Sequence, residues 1–102
     1  MRGDIYRLSA SKAATDQDPR YAIVVQSDHL PLSTVVIAPT STRCTPTSFR
    51  PQIDVAGVPT TVMLDQITAV GVQVRLGARV GRLSVDEIRL LDQALVDVLD
   101  LS

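Results

Sequence analysis

The sequence predicts a mainly β fold: a small SH3-like β-barrel of six or seven short strands with one C-terminal α-helix. Short apolar runs rich in Val, Ile and Thr recur between turn residues, which is typical of strands. Helical spacing of apolar residues is confined to the last stretch of the chain. The length of 102 residues fits a single domain over 1–102. Only three residues are aromatic, so the core must be built from aliphatic side chains.

Two segments, residues 20–27 and 34–42, each contain an apolar run and form the predicted centre of the sheet. Four consecutive apolar residues, Ala22 to Val25, indicate a strand covered on both faces. Arg20 stands just before the first run, and Thr40 stands near the end of the second. If these two strands are neighbours, a rigid frame brings a cation and a cluster of hydroxyls together. That combination suits a phosphate group.

The remaining strands are shorter and are separated by turns and loops. Polar stretches at residues 9–19, 27–33 and 40–48 are predicted loops, and the third has six hydroxyls in nine residues. That third loop fits an ordinary solvated loop and a binding loop equally well. The other elements are predicted as strands at residues 3–9, 52–55, 60–64, 67–70 and 79–83, with a turn at 56–59.

The last element is predicted as an amphipathic helix that begins after Ser84. Residues 84–87 (Ser-Val-Asp-Glu) form a capping box, in which Ser84 and Glu87 each accept a hydrogen bond from the other's main-chain amide. An apolar stripe that should pack on the sheet follows, made of Ile88, Leu91, Leu95, Val98 and Leu99. Leu90, Ala94 and Leu101 widen it, which fits either a second chain or internal packing.

The composition and charge of the chain exclude several kinds of functional site. The net charge of −1 combines a body of +3 over residues 1–85 with a segment of −4 over residues 86–102. One cysteine and one histidine leave no internal disulfide and no Cys- or His-based metal cluster, so we expect neither metal nor cofactor. So few aromatic residues argue against a base-stacking platform. No apolar run reaches about 18 residues, and we expect a cytoplasmic protein without a membrane partner.

Five short segments, taken in order, resemble the MazF/PemK toxins of bacterial type II toxin–antitoxin modules. The likeness covers nearly the whole chain, and the order and spacing of the segments carry it rather than any one of them. The segments are residues 2–6 (Arg-Gly-Asp-Ile-Tyr), 20–27 (Arg-Tyr-Ala-Ile-Val-Val-Gln-Ser), 36–40 (Val-Ile-Ala-Pro-Thr), 62–67 (Val-Met-Leu-Asp-Gln-Ile) and 80–84 (Val-Gly-Arg-Leu-Ser).

This resemblance implies a homodimer that is neutralised by a cognate antitoxin protein. It also implies metal-independent, sequence-specific cleavage of single-stranded RNA, in which the 2′-hydroxyl attacks the adjacent phosphate. By the match of motifs, Arg20 falls on the family's catalytic arginine and Thr40 on its catalytic threonine or serine. RNA-binding residues are expected at Gln17, Ser41, Thr42 and Arg43.

The chain departs from the family pattern around Arg20. Tyr21 replaces the usual proline, and residues 15–19 (Thr-Asp-Gln-Asp-Pro) replace a Gly-Ser-Glu-Gln-Gly-like run. Asp16 and Asp18 would repel RNA or pair with Arg20. Two alternatives therefore stay open. One is a relative that binds antitoxin or RNA without cutting. The other is a CcdB-like gyrase poison, against which the absence of tryptophan argues, because such poisons act through a Trp-Gly-Ile sequence.

Overall fold

The computed structural model describes residues 2–8, 20–26, 34–71 and 76–100. Within these ranges it confirms the predicted class, with a single curled sheet and a helix near the C-terminus. The predicted loops at residues 9–19 and 27–33 lie outside the described residues. The elements are β1 (Asp4–Leu8), β2 (Tyr21–Val24), β3 (Thr34–Ser41), β4 (Gln52–Val55), β5 (Val58–Val62), a 3₁₀ turn (Leu64–Gln66), β6 (Thr68–Gly71), β7 (Leu76–Arg82) and α1 (Val85–Leu99).

The sheet has the order β4-β5-β3-β2-β1-β7, and every pairing in it is antiparallel. Strand β3 is the longest strand, and it pairs with two other strands along one edge. Its first half pairs with β6, whereas its last two residues pair with β5. Strand β2 pairs along the opposite edge of β3. Because β3 turns from one set of partners to the next, the sheet curls.

The prediction that β2 is a buried central strand is confirmed. Ala22, Ile23 and Val24 are at most 1% exposed, and β2 lies between β1 and β3. Successive residues of β2 belong in turn to two different apolar clusters. Ile23 belongs to the larger cluster, which includes Leu91 of α1, whereas Ala22 and Val24 belong to a smaller cluster with Ile37. Apolar side chains therefore cover both faces of β2, as its unbroken apolar run requires.

The hairpin of β4 and β5 differs from its prediction. The turn is only two residues long, Ala56 and Gly57, and both have positive φ (52° and 85°). This is the twist that a two-residue hairpin needs. The Asp54 carboxylate stabilises the turn by accepting a hydrogen bond from the Gly57 amide at 2.6 Å. Pro59 therefore lies within β5, and Leu64 lies in the 3₁₀ turn rather than in a strand.

The final strand and helix follow the prediction more closely. The predicted strand at residues 79–83 is longer than expected, because β7 begins at Leu76. The capping box of α1 is confirmed, with Ser84 and Glu87 bonded reciprocally. The apolar stripe packs on the sheet but is narrower than predicted, since Leu90 and Leu99 are about half exposed. Leu101 lies outside the described residues. No helix among the described residues is long and apolar enough to span a membrane.

Candidate active site at the end of β2 and β3

The pairing of β2 with β3 brings the two sequence-predicted catalytic positions to the same end of the sheet. The register of the two strands ends with Ala22 paired to Pro39, and the next residues along, Tyr21 and Thr40, are joined through the Thr40 hydroxyl. The Arg20 main chain is itself held by β1, because its carbonyl accepts a hydrogen bond from the Leu8 amide at 2.9 Å. Arg20 therefore directly precedes β2, and Thr40 and Ser41 end the adjoining strand β3.

The Thr40 hydroxyl forms part of the sheet. Thr40 is 1% exposed, and its Oγ1 accepts a hydrogen bond from the Tyr21 amide at 3.2 Å. The same hydroxyl donates to the Tyr21 carbonyl at 3.1 Å. At this point β3 turns to pair with β5, where Thr40 lies opposite Val62. The hydroxyl thus spans the gap that opens between β2 and β3. It is the hydrogen-bond partner of both the main-chain amide and the main-chain carbonyl of Tyr21.

The alternation of side chains along a strand separates Arg20 from Thr40. Tyr21 packs against the larger, helix-side cluster, and Thr40 is paired with Val62, which belongs to the same cluster. Neighbouring residues of a strand point to opposite faces. This alternation assigns Arg20 and Ser41 to the other face of the sheet, the face on which Ala22 is buried. Arg20 and Thr40 are thus adjacent through the main chain, whereas Ser41 is the hydroxyl residue on the side of Arg20.

The RNA-binding positions expected after Thr40 form a compact polar turn. Ser41 is half-buried, and its Oγ accepts a hydrogen bond from the Arg43 amide at 3.1 Å. Thr42 and Arg43 are exposed. The fourth expected position, Gln17, lies outside the described residues, as do Asp16 and Asp18. The structure therefore brings Ser41, Thr42 and Arg43 to the Arg20 end of the sheet.

Sequence analysis missed an ion pair beside this turn. Arg50 donates two hydrogen bonds to Asp65, from Nε to Oδ1 at 2.9 Å and from Nη2 to Oδ2 at 2.7 Å. The hydrogen bond to Asp65 raises the pKa of Arg50, and the reciprocal bond lowers the pKa of Asp65. Both groups therefore stay charged near neutral pH. The pair joins residues 15 positions apart, so only the fold could reveal it.

A second charged cluster lies at the opposite end of β1. Asp4 is 5% exposed, and its Oδ1 lies 3.4 Å from Arg79 Nε and 3.7 Å from Arg82 Nη1. The register pairs Asp4 with Arg82 at one end of β1 and Leu8 with Leu76 at the other. Four residues of strand separate this cluster from the Arg20 end by roughly 13 Å. The two charged regions are therefore distinct.

The fold matches that of solved toxins. An endoribonuclease from a mycobacterial species, solved in complex with its cognate antitoxin, superposes with a TM-score of 0.82 at 18% identity, over 100% of this chain and 96% of that chain. The Mycobacterium tuberculosis toxin MazF-mt6 has a TM-score of 0.77 at 20% identity, over 97% and 98%. MazF from Deinococcus radiodurans has a TM-score of 0.75 at 16% identity, over 96% and 94%. These likenesses define the fold as that of the MazF toxins.

Sequence comparison then gives the family. The profile of the PemK-like, MazF-like toxins of type II toxin–antitoxin systems matches residues 1–99. A curated protein of Mycobacterium tuberculosis (strain H37Rv), Rv3098A, provisionally described as a toxin, is 33% identical over 99% of this chain and 98% of its own length. The chain therefore belongs to the PemK-like, MazF-like toxin family, as its sequence motifs predicted.

Proposed function

We propose that this protein is the toxin of a toxin–antitoxin module and that it cleaves single-stranded RNA without a metal ion. In this reaction the ribose 2′-oxygen bonds to the adjacent phosphorus, and the bond from phosphorus to the 5′-oxygen breaks. The 2′-hydroxyl loses its proton, and the leaving 5′-oxygen gains one. The products are a 2′,3′-cyclic phosphate and a 5′-hydroxyl end. Membership of the MazF-like family supports the proposal.

The observation that carries the proposal is the pair of hydrogen bonds between Thr40 and the main chain of Tyr21, the residue that directly follows Arg20. These bonds set Arg20 and the hydroxyl residues at the end of β3 at the same end of the sheet. Attack by an internal nucleophile needs alignment and stabilisation of the charge that develops on the phosphorane. A guanidinium can grip two phosphate oxygens at once, which an ammonium cannot do as well. We assign this role to Arg20.

The two hydroxyl residues are assigned different roles. The Thr40 hydroxyl is engaged by the main chain of Tyr21 on both its donor and its acceptor side. To donate to a phosphate it would have to release the Tyr21 carbonyl. We therefore assign Thr40 the role of holding the Arg20–Tyr21 main chain in place. Ser41, which is half-buried on the Arg20 side, is assigned the hydrogen bond to the phosphate. Thr42, Arg43 and Gln17 remain proposed contacts to the neighbouring nucleotides.

The proposal is tested by incubating the purified protein with a mixed-sequence single-stranded RNA in EDTA and mapping the new 5′-hydroxyl ends. Discrete cuts that recur at one short sequence are expected. Arg20→Ala should abolish them, whereas Arg89→Ala, which removes an exposed arginine from α1, should leave them unchanged. RNA that is bound but stays intact would favour the non-cleaving alternative. Intact RNA together with inhibited gyrase would favour the gyrase poison.

The proposed partners are a cognate antitoxin and a second copy of the chain in the cytoplasm. The antitoxin is supported by the family and by the mycobacterial endoribonuclease that was solved with its own antitoxin. The homodimer is supported by exposed apolar residues on α1, among them Leu90 at 52% and Val85 at 68%. Light scattering on the purified protein should give a mass near 22 kDa, twice the chain mass of 11.0 kDa. A mass of one chain would contradict the dimer.

A further inference from the structure

The loop that follows Ser41 is exposed along nearly all its length. We call residues 42–50 the hydroxyl-rich segment, since four of its nine residues are Ser or Thr. Only Cys44 and Arg50 are partly buried within it. A loop that buries so little apolar surface is not ordered by the core, because its conformational entropy must be offset by other contacts. The contacts that order it are therefore mainly polar.

Three polar anchors fix the segment. Near its start, the buried Thr61 hydroxyl donates to the Cys44 carbonyl at 3.0 Å. At its end, the main chains of Thr47 and Arg50 exchange hydrogen bonds of 3.0 and 3.2 Å. The Arg50 guanidinium then reaches Asp65 with two bonds and approaches Cys44 Sγ at 3.9 Å. Arg50 is thus the residue that connects both ends of the segment to the 3₁₀ turn.

We propose that Arg50 and Asp65 are positioning residues for RNA: their ion pair orders the hydroxyl-rich segment and holds Thr42 and Arg43 beside the Arg20 end of the sheet. This inference rests on the proposed function, because it assigns the segment to the binding of RNA. Asp65 neutralises the Arg50 guanidinium and occupies two of its donor directions. Arg50 therefore acts through the segment rather than as a direct phosphate ligand.

The arrangement predicts which kinetic parameter changes when the pair is broken. A disordered segment must be ordered at the moment when RNA binds, and this lowers affinity. Ser41 ends β3, and Arg20 directly precedes β2 with its carbonyl bonded to the Leu8 amide, so we expect both residues to keep their positions. Loss of the pair should therefore raise KM about tenfold while kcat stays within about threefold, because binding is lost equally in the ground state and the transition state.

The test measures RNA cleavage by Asp65→Asn and Arg50→Gln, each with the same expected rise in KM. Arg50→Lys should restore little, because an ammonium cannot make the two parallel bonds to Asp65. The matched control is Asp92→Asn, which removes the ion pair of Asp92 with Arg2 on the helix side. It should leave KM unchanged. Unchanged KM in both Asp65→Asn and Arg50→Gln, or an equal change in the control, would overturn the proposal.

Amide hydrogen exchange gives a readout that does not need cleavage. Asp65→Asn should speed exchange at the Thr47 and Arg50 amides at least tenfold, while the amides of β2 stay protected. Unchanged exchange at those two amides would overturn the ordering role. If the unaltered protein neither binds nor cleaves RNA, the proposed function fails and the assignment to RNA fails with it. The exchange rates would then still decide whether the ion pair orders the segment.

Discussion

Two carboxylates, Glu87 and Asp65, each connect parts of the chain that are distant in sequence, but they bind different kinds of partner. Glu87 accepts hydrogen bonds from two main-chain amides, that of Ser84 at 2.9 Å and that of Asp54 at 2.9 Å. It thereby connects α1 to the β4–β5 hairpin, two elements whose apolar side chains are already packed in the larger cluster. Asp65 instead holds a side chain, Arg50, at the end of an exposed loop.

The comparison separates residues that stabilise the fold from residues that shape the site. Where a polar contact joins elements that the core already holds, its loss lowers the free energy of unfolding by a small amount. Where it is a main source of order for a loop, its loss changes the loop and leaves the core intact. The Arg20 end of the sheet has one contact of each kind. The Thr40 hydroxyl is bonded within the sheet to Tyr21, whereas the Ser41 hydroxyl is bonded to Arg43 in the loop.

The largest effect is expected for Arg20→Ala. Removing the proposed stabiliser of the phosphorane should lower kcat by about 10²–10³-fold, as removal of one oxyanion-stabilising donor does. Thermal stability should change little, since Arg20 is bound to the sheet through its main chain. The measurement is single-turnover cleavage of an RNA that contains one mapped cut site. Activity within a few-fold of the unaltered protein would remove Arg20 from the mechanism.

Paired substitutions at Thr40 and Ser41 should separate stability from activity. Thr40→Val leaves the Tyr21 amide and carbonyl without their hydroxyl partner, which should cost on the order of 2 kcal/mol of unfolding free energy. The melting temperature should fall by roughly 10 °C. Thr40→Ser keeps the hydroxyl and is the control. Ser41→Ala should melt within about 2 °C of the unaltered protein but cleave RNA more slowly. If Thr40→Val slowed cleavage without loss of stability and Ser41→Ala lowered the melting temperature instead, the phosphate contact would be assigned to Thr40.

Gly3→Ala should destabilise the helix side by about 1–2 kcal/mol, the cost of a positive φ for a residue with a Cβ. Gly3 has φ of +87°, and a Cβ there would lie 3.2 Å from Ile88 Cδ1 on α1. Gly57→Ala is the matched control, because Gly57 has nearly the same φ, +85°, with open space around it. Chemical denaturation of both variants measures the difference. Equal losses would mean that the contact with Ile88 adds nothing.

The smallest effect should come from Glu87→Gln and should depend on pH. Burial alone would raise the pKa of Glu87, but the amides of Ser84 and Asp54 and the Ser84 hydroxyl together lower it below the usual value of a glutamate. The stability that the ionised carboxylate adds is therefore fully present above the usual pKa of about 4.3 and is lost as the pH falls through the lowered pKa. At pH 7 the variant should be about 1 kcal/mol less stable. By pH 3 the difference in unfolding free energy between the variant and the unaltered protein should shrink. A difference that stays constant with pH would show that the ionised Glu87 carboxylate is not its source.

Three elements show how much of the fold could be predicted from the sequence. The unbroken apolar run of residues 22–25 requires a strand covered on both faces, and the structure has one there. The spacing of Ser84 and Glu87 predicts the start of α1 to the residue. The turn at residues 56–59 was predicted too long, because Ala56 accepts a positive φ that its residue type disfavours. Local patterns failed where the hairpin geometry overrode propensity.

The sequence by itself determined the mainly β class, the central strands, the capped helix and the toxin family, because each depends on local patterns or on ordered motifs. Tertiary structure alone decided which hydroxyl shares a face with Arg20, because the face of a residue depends on register with a strand twenty positions away. It alone also revealed the pair of Arg50 with Asp65. The reason is the same in both cases: which side chains meet across a sheet is set by strand pairing, and no local pattern in the chain encodes it.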